Sequence, residues 1–161
     1  MPEQTNPHQI TDFETAEISC LDDCQICDER DIYERQLILE GASILELGCG
    51  KAEKTFEIAQ NWKVNKIVAL EVDQTQHAEN LLRGASNNIS FQPGGAQAIP
   101  ADDESFDIVM MFKSLHHVPL ELMDTAMGEI CRVLKLGGMA YISEPIFAGE
   151  FNEILRLFHN V

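Results

Sequence analysis

The sequence lacks the features that would place it in or across a membrane. It has no apolar run of about 18 residues or more, the least that a transmembrane helix needs. Residues 1–14 hold no basic stretch followed by an apolar run, so they do not resemble a secretory signal. The chain also has no internal repeat and no low-complexity tract, and its 161 residues suit one domain with a hydrophobic core. We therefore expect a cytoplasmic protein.

Positive charge is scarce as well. The chain has 11 Lys and Arg against 27 Asp and Glu, which gives a formal net charge of −16. Such a chain repels phosphate backbones and anionic headgroups, so we expect neither nucleic acid nor membrane as a partner. The five cysteines are an odd number, and in a cytosolic protein they are expected to be free thiols or ligands rather than disulfides.

What is present is an alternation of short apolar runs and amphipathic segments. The apolar runs read as strands: SILEL, KIVALEV, NISFQP, FDIVMMF and GGMAYISE. Helical spacing lies between them, in segments such as KTFEIAQNW, TQHAENLLRGA and PLELMDTAMGEICRVLK. Strands that are apolar throughout and alternate with helices indicate a parallel sheet covered on both faces. The fold class is therefore α/β, a Rossmann-like, doubly wound, mostly parallel sheet.

The first part of the chain reads differently. Residues 1–40 are predicted to form an N-terminal arm and a helical cap, in which DIYERQLILEG is a helix stopped by Gly41. Residues 41–161 are the predicted Rossmann-like domain. We expect the cap to lie over the ligand cleft at the C-terminal ends of the strands, with Tyr33 as a pocket residue.

A glycine loop follows the first predicted strand, in ELGCGKAEKT. Gly48 and Gly50 allow a sharp turn and a close approach of ligand to backbone. A dinucleotide fingerprint needs a third glycine, but Glu53 stands there and would repel a pyrophosphate. The P-loop signature G-K-[ST] is also missing. The loop therefore favours a ligand without phosphate.

Two carboxylates indicate which ligand this is. Glu46 lies near the end of the first strand, where it suits an ammonium group, and Asp73 follows the second strand, where it can accept hydrogen bonds from a ribose diol. Glu71 is a rival to Asp73, but it lies one step further back in the strand, so we prefer Asp73. Ammonium and ribose without phosphate describe S-adenosylmethionine.

Four segments of the chain resemble the motifs of a known enzyme family. ILELGCGKAEKT resembles motif I of the class I S-adenosylmethionine-dependent methyltransferases, and VALEVDQT resembles their second motif. QAIPADDESFDIVMMFKSLHHV and EICRVLKLGGMAYISEP resemble their later motifs, in the right order over about residues 42–146. The most similar subgroup contains the ubiquinone and menaquinone methyltransferases and many natural-product enzymes. The resemblance implies methyl transfer from S-adenosylmethionine to a small molecule, with S-adenosylhomocysteine as product.

The resemblance also implies a cofactor site, residue by residue. Glu46 and the backbone of the loop would hold the methionine part, Asp73 the ribose, and Ala96 with Gln97 would lie beside the adenine. Lys113 and Ser114 would line the methyl-transfer side. The expected cofactor-binding residues are Glu46, Gly48, Cys49, Gly50, Asp73, Gln74, Ala96, Gln97 and Lys113.

Other features depart from the family or leave the chemistry open. Many members carry Asp where this chain has Gly95, and members continue with two more strands, so the C-terminal strands are expected to be missing from this chain. His116 and His117 are candidate proton acceptors, although they could equally be loop residues that pack against the cofactor. The alternative function is a non-catalytic methyltransferase-like protein that binds a cofactor or a partner. The methyl acceptor and the oligomeric state cannot be predicted.

The cysteines at 20, 24 and 27 have the spacing C-x3-C-x2-C, at which thiolates can converge on a metal. The surrounding AEISCLDDCQICDERD reads as a helix, on which the three residues form one packing face. We therefore expect no metal site, and zinc, iron or a soft metalloid at these thiols is the alternative. Of the remaining chemistry-bearing residues, Cys131 is expected in the core, and Asp107 is expected to bond backbone at the start of its strand.

Overall fold

The computed structural model describes residues 27–84 and 86–145, which form a single parallel sheet flanked by helices. The five strands stand in the order β3-β2-β1-β4-β5, and every neighbouring pair is parallel. In this part of the chain, no helix has the length and apolar character that a bilayer span requires. The elements are α1 Glu29–Gln36, β1 Ser43–Leu47, α2 Glu53–Asn61, β2 Lys66–Glu71, α3 Gln74–Arg83, β3 Ile89–Pro93, β4 Phe106–Phe112, α4 Met123–Val133 and β5 Leu134–Ser143, with 3-10 turns Leu115–His117 and Leu120–Leu122 before α4.

The central strands β1 and β4 are buried on both faces, as their unbroken apolar runs predict, whereas the edge strand β5 is partly exposed along its length. Along β4, Ile108 and Met110 pack with the helices α1 and α2, whereas Val109 and Met111 pack against α4. This alternation follows from the two-residue period of a strand. The sheet therefore separates two hydrophobic cores, and the predicted doubly wound α/β fold is confirmed.

The helix before β1 differs from its prediction. It begins after Asp28, whose carboxylate accepts a hydrogen bond from the Arg30 N–H at 3.0 Å, and it ends at Gln36 rather than at Gly41. Leu37 and Leu39 then continue in an extended segment and are both buried. Their spacing of two suits an extended chain packed on the core, and this tertiary burial overrides the local helical pattern.

Two single-residue expectations had opposite outcomes. Cys131 is exposed, so its placement in the core was wrong; the buried face of α4 consists of Ala126, Ile130 and Val133. Asp107 bonds backbone as expected, because its Oδ2 accepts the Ser43 N–H at 2.8 Å. It also accepts hydrogen bonds from Lys135 Nζ at 2.8 Å, which ties β1, β4 and β5 together at one end of the sheet.

We predict that Asp107→Ala lowers the free energy of unfolding by about 1–3 kcal/mol, because it leaves the N–H of the buried Ser43 without an acceptor. Lys135→Ala is the control, and it should cost about 1 kcal/mol or less, because the ion pair that it removes is about two-fifths exposed. Urea denaturation monitored by circular dichroism measures both. A larger loss for Lys135→Ala would contradict this account.

Candidate functional site

The C-terminal ends of the parallel strands form the cleft of this domain. The chain runs from β1 outward through β2 to β3, and then returns to place β4 on the other side of β1. This reversal is the topological switch point, where open α/β sheets bind their ligands. The loop after β1 and the loop after β4 are therefore the two walls of the candidate site.

The loop after β1 is sharply folded. Gly48, Gly50 and Ala52 all have left-handed backbone conformations, with φ of +70°, +50° and +57°. A Cβ at Gly48 would lie 2.7 Å from Cβ of Ser114, so the glycine allows the two walls to touch. A Cβ at Gly50 would meet nothing within 4 Å. The backbone of Gly50 is thus open to an approaching ligand.

Glu71, the last residue of β2, holds this loop by a hydrogen bond to its backbone. Its side chain is 7% exposed, and its Oε2 accepts the Gly50 N–H at 2.7 Å while Oε1 accepts the Asp73 N–H at 2.9 Å. A carboxylate has about four lone-pair sites, so these two bonds leave capacity for two further donors. The cleft contains two cavities, and Glu71 lines the larger of them.

Asp73, preferred above for the ribose, does not line either cavity of the cleft. It is the N-cap of α3, and its Oδ1 accepts the N–H groups of Thr75 and Gln76 at 2.8 and 3.0 Å. Gln74, the first residue of the helix, is exposed and also lies outside both linings. The geometry favours Glu71 over Asp73 for a ligand in this cleft, because β2 ends at Glu71 and the chain has already turned into the helix at Asp73. Which carboxylate holds the ribose stays a prediction.

The larger cavity has a volume of about 620 Å³, which is in the range of small-molecule sites. Its lining includes most of the expected residues and several that were not expected. A Cβ at Gly95 would lie 2.7 Å from Oε1 of Gln97 and 3.0 Å from Cγ1 of Val72, so the glycine keeps this end open. The lining consists of Leu47, Gly48, Cys49, Gly50, Glu71, Val72, Gly95, Ala96, Gln97, Met111, Phe112, Lys113, Ser114, His117, Val118 and Pro119.

A second cavity, of about 400 Å³, shares part of this wall. Gly48, Cys49, Phe112 and Lys113 line both cavities, whereas Glu46 lines only the second. The backbone of Lys113 is left-handed, with φ of +53°, and its N–H donates to the Ser143 carbonyl at 2.7 Å. The backbone of Lys113 is thus fixed between the two spaces.

Glu46 is buried at the floor of the second cavity, where it accepts a hydrogen bond from the Thr55 hydroxyl. Desolvation by burial raises the pKa of Glu46 to about 7, against the opposing effects of the Thr55 hydroxyl and of Lys54. Near neutral pH this carboxyl group is therefore only partly ionised. A cation that enters the cavity would favour its ionised form.

Cys49 contributes an apolar surface to both cavities rather than a nucleophile. Its side chain is 8% exposed, and burial raises the pKa of its thiol to about 12. A thiol that stays protonated at neutral pH is unreactive and packs as a small hydrophobe.

The loop after β4 carries the two histidines. His117 lines the larger cavity, and its ring lies 4.0 Å from that of His116, centroid to centroid. Nδ1 of His116 lies 2.5 Å from Oε2 of Glu144, whose other oxygen accepts the Leu115 N–H at 2.7 Å. Burial alone would raise the pKa of Glu144, but the bonds from His116 and Leu115 outweigh it and hold the pKa below its usual range. Glu144 thus anchors this loop, and only His117 faces the cavity.

Among the described residues of the N-terminal segment, Glu29 reaches the cleft but Tyr33 does not. Glu29, the first residue of α1, lines the second cavity and accepts a hydrogen bond from the Ser143 hydroxyl at the end of β5. Tyr33 is fully buried in the core, where its ring packs against Trp62, Phe112 and Tyr141. Its prediction as a pocket residue was therefore wrong. Glu29 thus reaches the cleft from the described part of this segment, and the cap predicted over residues 1–40 stays a prediction.

The cysteine motif is only partly described. Cys20 and Cys24 lie outside the described residues, so the expectation that no metal binds there stays a prediction. Cys27 is exposed and precedes the cap of α1, so the helix predicted through AEISCLDDCQICDERD does not extend over its last residues before Glu29. Between residues 27 and 145, within the described ranges, no group of three or more possible ligands could hold a metal ion.

Some residues of the cavity lining were not among the residues expected to bind the cofactor. Val72 and Gly95 reach the cavity because they flank the ends of β2 and β3, and Pro119 because it follows the histidines. For Glu71 a signal was available, since the last residue of a parallel strand faces the cleft edge and the next polar residue often caps the helix.

Comparisons with known proteins agree with this geometry. A family model described as "Methyltransferase domain" matches residues 44–138. The chain is 36% identical over 123 residues to a demethylmenaquinone methyltransferase of Lactococcus lactis, a match that covers 70% of this chain and 48% of that protein.

Solved structures share the fold. A putative S-adenosyl-L-methionine-dependent methyltransferase of Methanococcus maripaludis superposes with a TM-score of 0.65 at 22% identity, over 80% of this chain and 59% of that one. The [4+2]-cyclase SpnF superposes with a TM-score of 0.64 at 30% identity, over 71% and 43% of the two chains.

The curated relatives are longer than this chain, which spans about half the length of those that it matches. The family match nevertheless covers more than half of the chain and contains the glycine loop, Glu71 and all of β4. By its sheet order, its cleft and this match, the chain belongs to the class I S-adenosylmethionine-dependent methyltransferases.

Proposed function

We propose that this chain binds S-adenosylmethionine in the cleft and transfers its methyl group to a small-molecule acceptor. The observation that carries the proposal is the carboxylate of Glu71, which closes the base of the glycine loop and still has lone pairs directed to a cavity. A carboxylate there suits a ribose diol and opposes a phosphate. The family match supports the same cofactor.

The residues present fit the parts of this cofactor. Glu71 would accept hydrogen bonds from the ribose, and Val72, Ala96 and Gln97 would flank the adenine at the end that Gly95 keeps open. Glu46 would face the ammonium group of the methionine part from the second cavity. When bound, S-adenosylmethionine supplies an electrophilic methyl group on a sulfonium.

The chain's own contribution to transfer is mainly alignment and exclusion of water. Lys113 and Ser114 stand where the two cavities meet, and Ser114 is fixed by its hydroxyl, which donates to the Leu47 carbonyl at 2.8 Å. His117 is the cavity-facing candidate to accept a proton from a hydroxyl or amine acceptor. Holding nucleophile and methyl in line supplies most of the rate enhancement that such a site needs.

The alternative is a domain of this fold that binds the cofactor, or a partner, without methyl transfer. The similarity to a protein described as a [4+2]-cyclase favours testing it, because that chain shares the fold and 30% of the aligned sequence. Incubation with methyl-labelled S-adenosylmethionine and a panel of phenols, carboxylic acids, amines and thiols decides between them. Label in an extracted product supports the enzyme, whereas cofactor binding without any labelled product favours the alternative.

The choice between the carboxylates of Glu71 and Asp73 gives a matched test. Glu71→Gln should weaken S-adenosylhomocysteine binding by about 10- to 100-fold, because hydrogen bonds to a charged group contribute about 1.5–3 kcal/mol. Asp73→Asn makes the same chemical change and should leave the affinity unaltered, because Asn caps a helix as well as Asp does. Isothermal titration calorimetry measures both, and a greater loss in Asp73→Asn would restore the first assignment.

A second pair of variants tests the open backbone of the loop. Gly50→Val should abolish measurable S-adenosylhomocysteine binding, because the side chain would project into the open space beside the cavity. Its left-handed φ costs about 1–2 kcal/mol, which lowers Tm by only about 2–8 °C. Gly41→Val carries the same strain, at φ of +73° and with nothing within 4 Å, but lies before β1. Equal affinities in the two variants would remove the loop from the site.

The number of protons released when the ligand binds tests the role proposed for Glu46. If an ammonium group binds beside it, the pKa of Glu46 falls from about 7, and at about pH 7 binding should release up to about half a proton. The release should decline towards zero above about pH 8.5, where the free protein is already ionised. Calorimetric titration with S-adenosylhomocysteine in phosphate and in Tris buffer measures it. Identical enthalpies in the two buffers, or the same release from Glu46→Gln, would contradict this role.

A further inference from the structure

Asn80 is the one buried side chain of α3 in the structure, and it is polar. It is fully buried, and an amide removed from water is costly unless its donors and acceptor are bonded. Its Nδ2 donates to the Gly50 carbonyl at 2.7 Å and lies 3.6 Å from Sγ of Cys49, while its Oδ1 accepts from Nε2 of Gln76 at 3.2 Å. The donor side of the amide is therefore directed at the glycine loop.

Gly50 is thus held on both sides of its backbone by two different elements. Its N–H donates to Glu71 at the end of β2, and its carbonyl accepts from Asn80 on α3, both at 2.7 Å. Arg83, one turn further along α3, donates to the carbonyl of Lys51. The loop needs such external support, because Ala52 pays about 1–2 kcal/mol for its left-handed φ of +57°.

Asn80 does not line either cavity. It acts on the rear of the loop, while the opposite side of the same backbone lines the larger cavity. An apolar side chain at this position would fill the space but leave the Gly50 carbonyl without its donor. The amide is therefore suited to fix a backbone conformation rather than to bind a ligand itself.

We propose that Asn80 is a positioning residue of the cofactor site, which sets the backbone of Gly50 and couples α3 to the loop that receives the methionine and ribose parts. This inference rests on the proposed function, because the loop is assigned to the cofactor there. It adds a residue that touches neither cofactor nor acceptor.

The test compares Asn80→Ala with Asp107→Ala, a destabilising change made at the other end of the sheet. Loss of one neutral hydrogen bond corresponds to about 0.5–1.5 kcal/mol, so Asn80→Ala should weaken S-adenosylhomocysteine binding by about three- to tenfold in calorimetry. Asp107→Ala should change the affinity by less than about twofold, whatever its Tm. Unchanged affinity in folded Asn80→Ala protein would overturn the proposal.

A second measurement reads the loop without any ligand. Hydrogen–deuterium exchange with mass spectrometry follows the backbone amides of residues 48–52, with the peptide of α4 as an internal reference. Freeing the loop should speed exchange at these amides several-fold in Asn80→Ala and not in Asp107→Ala. Unchanged exchange would overturn the proposal, because it would show that Asn80 does not hold the loop.

Two further outcomes are distinguishable. If wild-type protein fails to bind S-adenosylhomocysteine, the proposed function fails, and the hydrogen-exchange rates of residues 48–52 alone decide whether Asn80 holds the loop. If Asn80→Ala does not fold, Asn80→Asp keeps the shape but places carboxylate oxygens opposite the Gly50 carbonyl. That variant should bind S-adenosylhomocysteine at least as weakly as expected for the alanine variant, and wild-type affinity would contradict the proposal.

Discussion

The site depends on one buried carboxylate, that of Glu71, and on what it bonds. It accepts the N–H of Gly50 across the cleft edge and the N–H of Asp73 at the start of α3, so it joins the end of β2 to the loop after β1. Glu71 is only 7% exposed, and its negative charge is tolerated there because two backbone N–H groups donate hydrogen bonds to it. The same charge favours ligands with hydroxyl donors and repels phosphate groups.

The parallel sheet brings the remaining parts to this carboxylate. β1 and β4 are neighbours, so the glycine loop and residues 113–118 meet at the C-terminal ends of these strands. Gly48 and Ser114 are packed so closely that a Cβ on the glycine would collide with Ser114. Each loop is also held by a side chain outside the larger cavity. Asn80 donates to the backbone of the glycine loop, and Glu144 accepts from the backbone of the loop that carries the histidines. The site is thus a pair of short loops with fixed backbones, which suits a reaction that needs alignment more than acid–base chemistry.

The sequence predicted the order of strands and helices well, because buried strands such as FDIVMMF have an unmistakable pattern and match β4 residue for residue. It also predicted the glycine loop, and six of the nine expected cofactor-binding residues line the larger cavity. It was less accurate where the choice lay between nearby positions: Glu71 lines the cavity where Asp73 was preferred, and Cys131 is exposed where an inward face was expected. Tyr33 failed for a related reason, since the sequence does not show which side of α1 meets the cleft and which the core. Such choices depend on the exact residue at which an element ends, and tertiary packing sets that residue.

The most direct test of the account compares ligands that share adenosine and differ in phosphate. Competition binding by calorimetry should rank S-adenosylhomocysteine tightest, adenosine weaker, and ADP and NAD⁺ without measurable affinity, because Glu71 and Glu53 stand where a pyrophosphate would approach the loop. Binding of NAD⁺ or ADP more tightly than S-adenosylhomocysteine would contradict the central claim that this cleft is built for a nucleoside cofactor without phosphate.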